Sequence, residues 1–378
     1  MKHYLFTVIF VMITMVSINA QILGFYSNEN KEVFTELDLT TKKFSDLQTF
    51  NWVELGEYTF DPVLNRYFTI ASENGSSFYI AIINAQTGAI IDKIPNTVGL
   101  KGIQYKGDNK IIGSYWDEDK EVFAELDLTT KKFSTIQTLT SVKWLEAGES
   151  TFDPNLNRYF IIASANGSDD YITIIDAQTG AIIDRIFNSV GLKGIQYKGD
   201  NKIIGSYWDE NKEKEVFAEL DLMTKKFSAI QTLIGVEWVE AGESTFDPNL
   251  NRYFIIASEN GIDDYIIIID AQTGAIIDKI SNSAELKGIQ YKHETSAIAP
   301  HKDKNLYSIN VYPNPAGNLL NIVISENTNE LIIISDLFGK IVHSEQVSGK
   351  QISIDISNLR ASMYMVRIGN KVAKFIKH

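Results

Sequence analysis

The sequence predicts an all-β protein: a six-bladed β-propeller closed by N- and C-terminal strands, followed by a small C-terminal β-sandwich. Two observations predict this fold. A long unit occurs three times, so that Lys101 is matched by Lys193, 92 residues later, and by Lys287, 94 residues after that. Each unit has two halves of four short runs rich in Ile, Val, Phe and Tyr, and four strands in about 45 residues are typical of a propeller blade.

The first 20 residues have the pattern of a secretory signal peptide. Lys2 and His3 give a short basic start, an apolar run extends from Tyr4 to Val16, and Ala20 ends a short stretch of small polar residues. The run is shorter than the roughly 20 residues of a membrane-spanning helix. We therefore expect cleavage before Gln21 and no stable membrane span afterwards, with an uncleaved anchor as the alternative.

The propeller is expected to occupy residues 21–292. The repeats mark five complete blades, at about residues 57–94, 100–139, 149–188, 192–233 and 243–281. Residues 24–50 hold a blade that lacks its opening strand, and residues 286–292 match that strand alone. The two fragments are expected to complete a sixth blade, because closing the ring removes exposed sheet edges. Stacked β-sandwiches are the alternative.

Composition excludes several classes of site. The net charge of −13 and the pI near 5.0 do not fit a nucleic-acid binder. Cysteine is absent, and none of the five histidines lies between residues 21 and 292. A thiol nucleophile anywhere in the chain, or a Ser-His-Asp triad within that stretch, is therefore impossible. We expect no organic cofactor, and catalysis is less expected than binding because near-identical repeats give their carboxylates like environments.

Variable loops are expected to share one face of the propeller, and any ligand is expected there. Three glutamates recur at equivalent positions near the mouth of the central channel: Glu57, Glu149 and Glu243. Several carboxylates together suit a cation or a cationic ligand. The alternative is structural, since Lys101, Lys193 and Lys287 enter the intervening blades at a similar level and could alternate with the glutamates.

Acidic loops that follow a tryptophan form the second candidate site. Its residues are Trp116, Asp117, Asp119, Trp208 and Asp209. An exposed indole beside carboxylates could bind a sugar by stacking and hydrogen bonding, or the loops could hold calcium weakly. The loops lack the glycine turn and the distal glutamate of a calcium-binding loop. A solvated loop without a ligand is the alternative.

A polar linker, residues 293–306, precedes a C-terminal segment, residues 307–378, whose alternating strands predict a small β-sandwich. Its motif residues are, in order along the chain, Tyr312, Pro313, Asn314, Pro315, Gly339, Tyr364 and Lys374. In these residues the segment resembles the type A C-terminal sorting domain of the Bacteroidetes type IX secretion system. Ser362-Met363 stands where that family usually has glycine. A plain carbohydrate-binding sandwich is the alternative.

The resemblance implies recognition by the type IX secretion machinery and passage through the periplasm to the outer cell surface or the medium. We therefore expect a secreted or cell-surface binding or adhesion protein, whose loop face engages an extracellular protein or polysaccharide. Two alternatives remain: a secreted carbohydrate-active enzyme, hydrolase or lyase, and a structural propeller stabilised by calcium.

Overall fold

The structure is a computed structural model that describes residues 21–29, 31–140, 142, 144–164, 167, 169–259, 263–292, 309–335, 341–368 and 371–378. The expected signal peptide, the expected linker and Gly339 lie outside the described residues. The chain divides into two compact units, Met1–Thr295 and Ser296–His378. The described part of the chain contains no helix with the length and apolarity that crossing a membrane requires.

The described residues of the first unit form six four-stranded antiparallel sheets, here called blades. Three first-type blades begin with a Lys-Gly-Ile-Gln strand. From the inner to the outer strand they are β24 (Lys287–Lys292), β1 (Gln21–Asn28), β2 (Lys31–Asp38) and β3 (Lys43–Phe50); β8 (Lys101–Gly107), β9 (Lys110–Asp117), β10 (Lys120–Asp127) and β11 (Lys132–Leu139); and β16 (Lys193–Gly199), β17 (Lys202–Asp209), β18 (Lys214–Asp221) and β19 (Lys226–Thr232).

Three second-type blades begin with the strand that carries the repeated glutamate. From the inner to the outer strand they are β4 (Glu54–Asp61), β5 (Arg66–Ser72), β6 (Phe78–Asn84) and β7 (Ile90–Pro95); β12 (Trp144–Asp153), β13 (Arg158–Ser164), β14 (Asp170–Asp176) and β15 (Ile182–Phe187); and β20 (Trp238–Asp247), β21 (Arg252–Ser258), β22 (Asp264–Asp270) and β23 (Ile276–Ser281).

The inner strands are arranged as a ring. Each of β4, β8, β12, β16, β20 and β24 contacts the next, and β24 contacts β4. Closure is made as expected: β24, from the end of the unit, pairs antiparallel with β1, so that Gln21 lies opposite Lys292. The prediction of a β-propeller is confirmed.

The core consists of apolar clusters between neighbouring blades, since each blade alternates its side chains between two buried faces. In one such cluster Phe68 and Ile80 of a second-type blade pack against Ile103, Ile111 and Ala124 of the next blade. The blades are therefore held together mainly by burial of Ile, Leu and aromatic side chains.

A glycine bulge in each first-type inner strand joins it to the following second-type blade. At Gly102 the backbone has a φ of +62°, and the carbonyl oxygen accepts a hydrogen bond from Tyr159 Oη at 2.6 Å. At Gly194 the φ is +59°, and the carbonyl accepts from Tyr253 Oη, also at 2.6 Å. Only glycine suits these positions, because the φ is positive and the tyrosine hydroxyl fills the space that a Cβ would need.

The second unit is an all-β domain. Its strands are β25 (Ile309–Tyr312), β26 (Leu319–Ser335), β27 (Ile341–Asp355), β28 (Ser362–Ile368) and β29 (Lys371–Lys377). They pair in the order β25-β26-β28-β29, with β27 added to β26. Leu320, Ile322, Ile334, Val366 and Phe375 are fully buried in its core.

Candidate functional site

The loop face is the end of the propeller that carries the links between blades and the loops between second and third strands. An axial cavity of about 420 Å³, here named the loop-face cavity, lies among the inner strands at this end. Glu57, Glu240, Glu243 and Lys287 line it, together with Tyr58. Three carboxyl groups and one ammonium group give the cavity a polar wall, so a hydrogen-bonding group would suit it.

Glu149 is the most enclosed of the three repeated glutamates and has no exposed surface. Its Oε1 accepts hydrogen bonds from Gly194 N–H at 2.9 Å and from Gly242 N–H at 2.8 Å. Its Oε2 accepts from Ile195 N–H at 3.2 Å. This carboxylate therefore ties its own blade to the inner strands of the next two blades, and its backbone partners already satisfy it.

Glu57 and Glu243 bind the next blade in the same way but also line the cavity. Ile103 N–H donates to Glu57 Oε2 at 2.9 Å, and Gly288 N–H donates to Glu243 Oε2 at 2.5 Å. A backbone N–H that is withdrawn from water needs an acceptor, and these carboxylates supply it. The expected cation site at the three glutamates stays a prediction, with Glu57 and Glu243 the members that face the cavity.

Burial shifts the titration of these groups. Removal from water raises the pKa of Glu57 to about 7 and the pKa of Glu243 to about 8, although the backbone donors and a nearby lysine act in the opposite direction. Desolvation also raises the pKa of Glu149 and of Glu240. The cavity wall therefore holds protons at a pH where an ordinary glutamate is ionised.

The first-type blades carry lysines and a second set of buried glutamates. These blades alternate around the ring with the second-type blades, which carry the three repeated glutamates. Lys101 Nζ lies 3.4 Å from Glu121 Oε2, and Lys287 Nζ lies 2.9 Å from Glu32 Oε1. Glu121 is fully buried, and Glu32 and Glu215 are nearly so. Sequence reasoning missed these three glutamates. Their signal was the repeated Lys-Glu-Val-Phe, which places a carboxylate on the apolar face of the third strand.

Tyr58 breaks the threefold pattern of the cavity. It stands where the other two repeats have Ser150 and Ser244, whose hydroxyls accept hydrogen bonds from the side chains of Gln104 and Gln196. Burial, with the charge of Glu243 and other carboxylates, raises the pKa of Tyr58 well above its ordinary value. One third of the cavity wall is thus bulkier than the rest, and a ligand meets an asymmetric site.

The predicted tryptophans lie on the loop face with much of their surface in solvent. The exposed fraction is 45% for Trp116, at the end of β9, and 43% for Trp208, at the end of β17. Indole side chains are usually far more buried than this. Trp238 is also exposed, whereas Trp52, near the start of the first repeat, is buried against Phe50.

The acidic loops beside these tryptophans differ between repeats. Asp117 and Asp119 are exposed. Asp209 instead organises its own loop: its Oδ1 accepts from Asn211 N–H, and its Oδ2 lies 2.9 Å from Lys212 Nζ, which lowers the pKa of Asp209. Among the described residues, no three His, Cys, Asp or Glu side chains are grouped so as to hold a metal ion.

The residues of the Pro-Asn-Pro entry contact the last strand of the second unit. Asn314 Oδ1 accepts from Ile376 N–H at 2.9 Å, and Asn314 Nδ2 donates to the Lys374 carbonyl at 3.3 Å. Pro313 and Pro315 on either side are both in cis peptide linkages. The entry segment is thereby bound along β29.

The two predicted tyrosines of this unit have separate places. Tyr364 is buried, donates its hydroxyl hydrogen to the Arg360 carbonyl and stacks on Phe375. Tyr312 is 43% exposed, and its Oη accepts from Gln351 Nε2 at 3.2 Å. Tyr364 thus belongs to the core, and Tyr312 offers an aromatic surface to solvent.

Comparison with known proteins identifies the second unit. The family described as the secretion system C-terminal sorting domain matches residues 310–378. The resemblance found in the sequence is confirmed: these residues are a sorting domain of the type IX secretion system, which exports the chain to the cell surface or the extracellular space. No curated protein matches the sequence.

Solved structures resemble the propeller at low sequence identity. TolB from Acinetobacter baumannii has a TM-score of 0.57 at 14% identity, over 72% of this chain and 66% of that one. A chain of a nidogen/laminin complex has a TM-score of 0.53 at 12% sequence identity, and the match covers 72% of this chain and 98% of that one. A putative TolB from Agrobacterium tumefaciens has a TM-score of 0.50 at 11% identity, and the match covers 72% of this chain and 92% of that one. These likenesses show the fold alone and agree with the repeated four-stranded sheets.

Proposed function

We propose that the exported propeller is a binding module that engages an extracellular polysaccharide through its loop face. The observation that carries this proposal is the pair of half-exposed indoles, Trp116 and Trp208, at equivalent positions of two blades. Large flat side chains left in water lose little entropy when a ligand covers them, and they dominate the energetics of many interfaces.

The arrangement favours a sugar polymer over a small ligand. Two equivalent indoles on successive first-type blades present a repeated surface, which matches the repeated units of a polysaccharide. Asp117 and Asp119 are exposed beside Trp116 and can accept hydrogen bonds from sugar hydroxyls. The ligand would then be held by stacking and hydrogen bonds at two places at once, which raises avidity without strong single contacts.

The test is a glycan and cell-surface binding screen with the exported chain, in the presence and absence of calcium. We expect saturable binding to at least one polysaccharide, lost when Trp116→Ala and Trp208→Ala are combined. Met223→Ala is the matched control, since Met223 is 72% exposed but lies in the turn between β18 and β19, away from the loop face. Binding that the double variant retains in full would refute the proposal.

A secreted carbohydrate-active enzyme is the second candidate, and one observation favours it. The loop-face cavity holds Glu57 and Glu243 with raised pKa values, next to Tyr58, which breaks the repeat. Carboxyl groups that stay protonated near neutral pH can act as general acids. Turnover of a polysaccharide that Glu243→Gln abolishes, while the tryptophan variants leave it intact, would select this candidate over the binding module.

A further inference from the structure

A second axial cavity lies at the opposite end of the propeller, on the face that carries the turns between first and second strands and between third and fourth strands. We name this end the turn face. The turn-face cavity has a volume of about 580 Å³, larger than the loop-face cavity and within the range of small-molecule sites. Its wall repeats three times. The repeated apolar lining residues are Phe60, Phe152, Phe246, Pro62, Pro154 and Pro248.

One side of the mouth of this cavity is apolar. Val63 lines the cavity and is 80% exposed. Its counterpart in the second repeat, Asn155, also lines the cavity and is polar. The residues that follow Val63 and its counterparts in the three turns, Leu64, Leu156 and Leu250, are exposed but do not line the cavity. Scattered exposed apolar residues are common on proteins, but an exposed apolar residue that adjoins a concave apolar wall is typical of a binding site.

Glutamines form the inner end of the cavity. Gln104, Gln196 and Gln290 line both the turn-face cavity and the loop-face cavity, so they lie between the two. The Nε2 groups of Gln104 and Gln196 donate to Ser150 and Ser244. A ligand that enters past the phenylalanines therefore meets amide groups that can hydrogen-bond to a polar end.

The cations that line the cavity have carboxylate partners. Lys106 Nζ lies 3.1 Å from Glu125, and Lys198 Nζ lies 3.2 Å from Glu219. Each ammonium group also donates to a backbone carbonyl of the next blade. Because these charges are already paired, the wall offers an anionic ligand little gain, and its apolar rings would oppose the burial of any charge.

We propose that the turn-face cavity is a second binding site, for an uncharged, mainly aromatic or aliphatic small molecule with one hydrogen-bonding group. The rings and prolines would bury its apolar body, and the glutamines would bind its polar end. This site is independent of the proposed polysaccharide site, since it lies at the other end of the inner strands and has different chemistry.

The test uses two fluorescent probes with the exported chain. N-phenyl-1-naphthylamine is neutral, and 1-anilinonaphthalene-8-sulfonate has the same aromatic body with a negative charge. We expect saturable binding of the neutral probe at one site, and binding of the sulfonate at least about tenfold weaker, because burial of a charge in an apolar site is costly. Equal or tighter binding of the sulfonate would overturn the assignment to an uncharged ligand.

A matched pair of variants locates the probe. Val63→Asp puts a charge at the cavity mouth and is expected to weaken binding of the neutral probe about tenfold. Ile234→Asp places the same charge at a residue that is 77% exposed, in the link between β19 and β20 on the loop face, and should leave binding unchanged. Both side chains are exposed, so both variants should fold. Absence of saturable binding, or equal weakening by the two variants, would overturn the proposal.

Discussion

Glu149 shows how a repeated acidic residue can be a structural acceptor. It is fully buried, yet its carboxyl group accepts hydrogen bonds from three backbone N–H groups of the next two blades in the ring. Hydrogen bonds to a charged acceptor are stronger than neutral ones, and removal of the acceptor leaves buried donors unsatisfied. The repeated glutamates therefore contribute to the cohesion of the ring.

We predict that Glu149→Ala destabilises the propeller. Loss of the acceptor for Gly194, Ile195 and Gly242 should lower the free energy of unfolding by about 3 kcal/mol, given roughly 1 kcal/mol or more for each buried donor left unpaired. Urea denaturation followed by tryptophan fluorescence would measure the change. Glu237→Ala, at an exposed glutamate, is the control and should change the midpoint little. An unchanged midpoint for Glu149→Ala would contradict the role assigned to this carboxylate.

Glu243 should make stability depend on pH. Its pKa is about 8 in the folded protein and 4.5 in its ordinary state, so between these values the folded state binds more protons than the unfolded state. The contribution of Glu243 to the free energy of unfolding must then fall as the pH rises from 5 to 8. No histidine lies between residues 21 and 292 to mask the effect.

Melting temperatures at pH 5 and pH 8 test this prediction. The wild-type chain should melt at a higher temperature at pH 5, and Glu243→Gln, which cannot ionise, should reduce the difference. If Glu243→Gln has the same pH dependence as the wild-type chain, the raised pKa assigned to Glu243 is contradicted.

At the scale of single residues, the sequence predicted where the candidate side chains lie but not what they contact. The repeats placed Glu57, Glu149 and Glu243 near the axis, and Trp116 and Trp208 on the loop face. They could not reveal the partners of Glu149, since Gly194 and Gly242 are 45 and 93 residues away in the chain. Such contacts depend on the geometry of the closed ring and not on any local pattern.

Among the elements, the inner strands of the first-type blades have the strictest sequence requirement. Gly194 has a φ of +59°, and a Cβ there would lie 2.4 Å from Tyr253 Oη. Gly191, three residues earlier, has a φ of +68° but faces open space. Substitution of Gly191 therefore tests the free-energy cost of the positive φ alone, and substitution of Gly194 tests that cost together with the collision with Tyr253.

We predict that Gly194→Ala costs about 3 kcal/mol of unfolding free energy, since it combines a strained backbone with a collision in the core. Gly191→Ala should cost only about 1 kcal/mol, from the positive φ alone. Chemical denaturation of the two variants would measure the difference. Equal losses would mean that the contact between Gly194 and Tyr253 adds nothing to the requirement for glycine.

Strand β29 of the sorting domain depends on a side chain from the entry segment. Asn314→Ala removes both hydrogen bonds to the β29 backbone and should lower the stability of this unit by about 1–2 kcal/mol. If the export machinery recognises the ordered end of the chain, less protein should reach the medium or the cell surface. Asn318→Ala, at an exposed asparagine, is the control.

Immunoblots of the cell, surface and medium fractions would measure export of these two variants. We expect Asn314→Ala to accumulate inside the cell and Asn318→Ala to be exported like the wild type. Normal export of Asn314→Ala would indicate that the machinery does not read the part of the domain that Asn314 orders.

For the whole molecule, the sequence predicted the architecture well because the unit of two blades occurs three times in the chain. One blade is formed by both ends of the repeat region. The sequence predicted it because residues 24–50 lack the first strand of a blade and residues 286–292 match that strand alone. In the structure β24 pairs with β1, as this prediction requires. The two axial cavities were not predictable, since their walls come from inner strands of many blades. The turn-face cavity in particular lies behind turns that are nearly invariant and therefore gave no signal of function.

The propeller thus presents two chemically different ends to the outside of the cell. Its loop face combines exposed indoles, acidic loops and a cavity lined by carboxyl groups, and its turn face has a mainly apolar cavity. Export to the surface or the medium by the type IX system gives both ends access to extracellular ligands. The central proposal is that the loop face binds a polysaccharide through its exposed indoles, Trp116 and Trp208.

A binding isotherm of the exported chain on the polysaccharide selected by the screen tests this claim most directly. We predict that the single variants Trp116→Ala and Trp208→Ala each weaken binding about tenfold, in line with roughly 1–2 kcal/mol per stacked aromatic side chain, and that the double variant shows no saturable binding. Met223→Ala should match the wild type. Wild-type affinity in the double variant would contradict the claim that the loop face of this propeller is its binding surface.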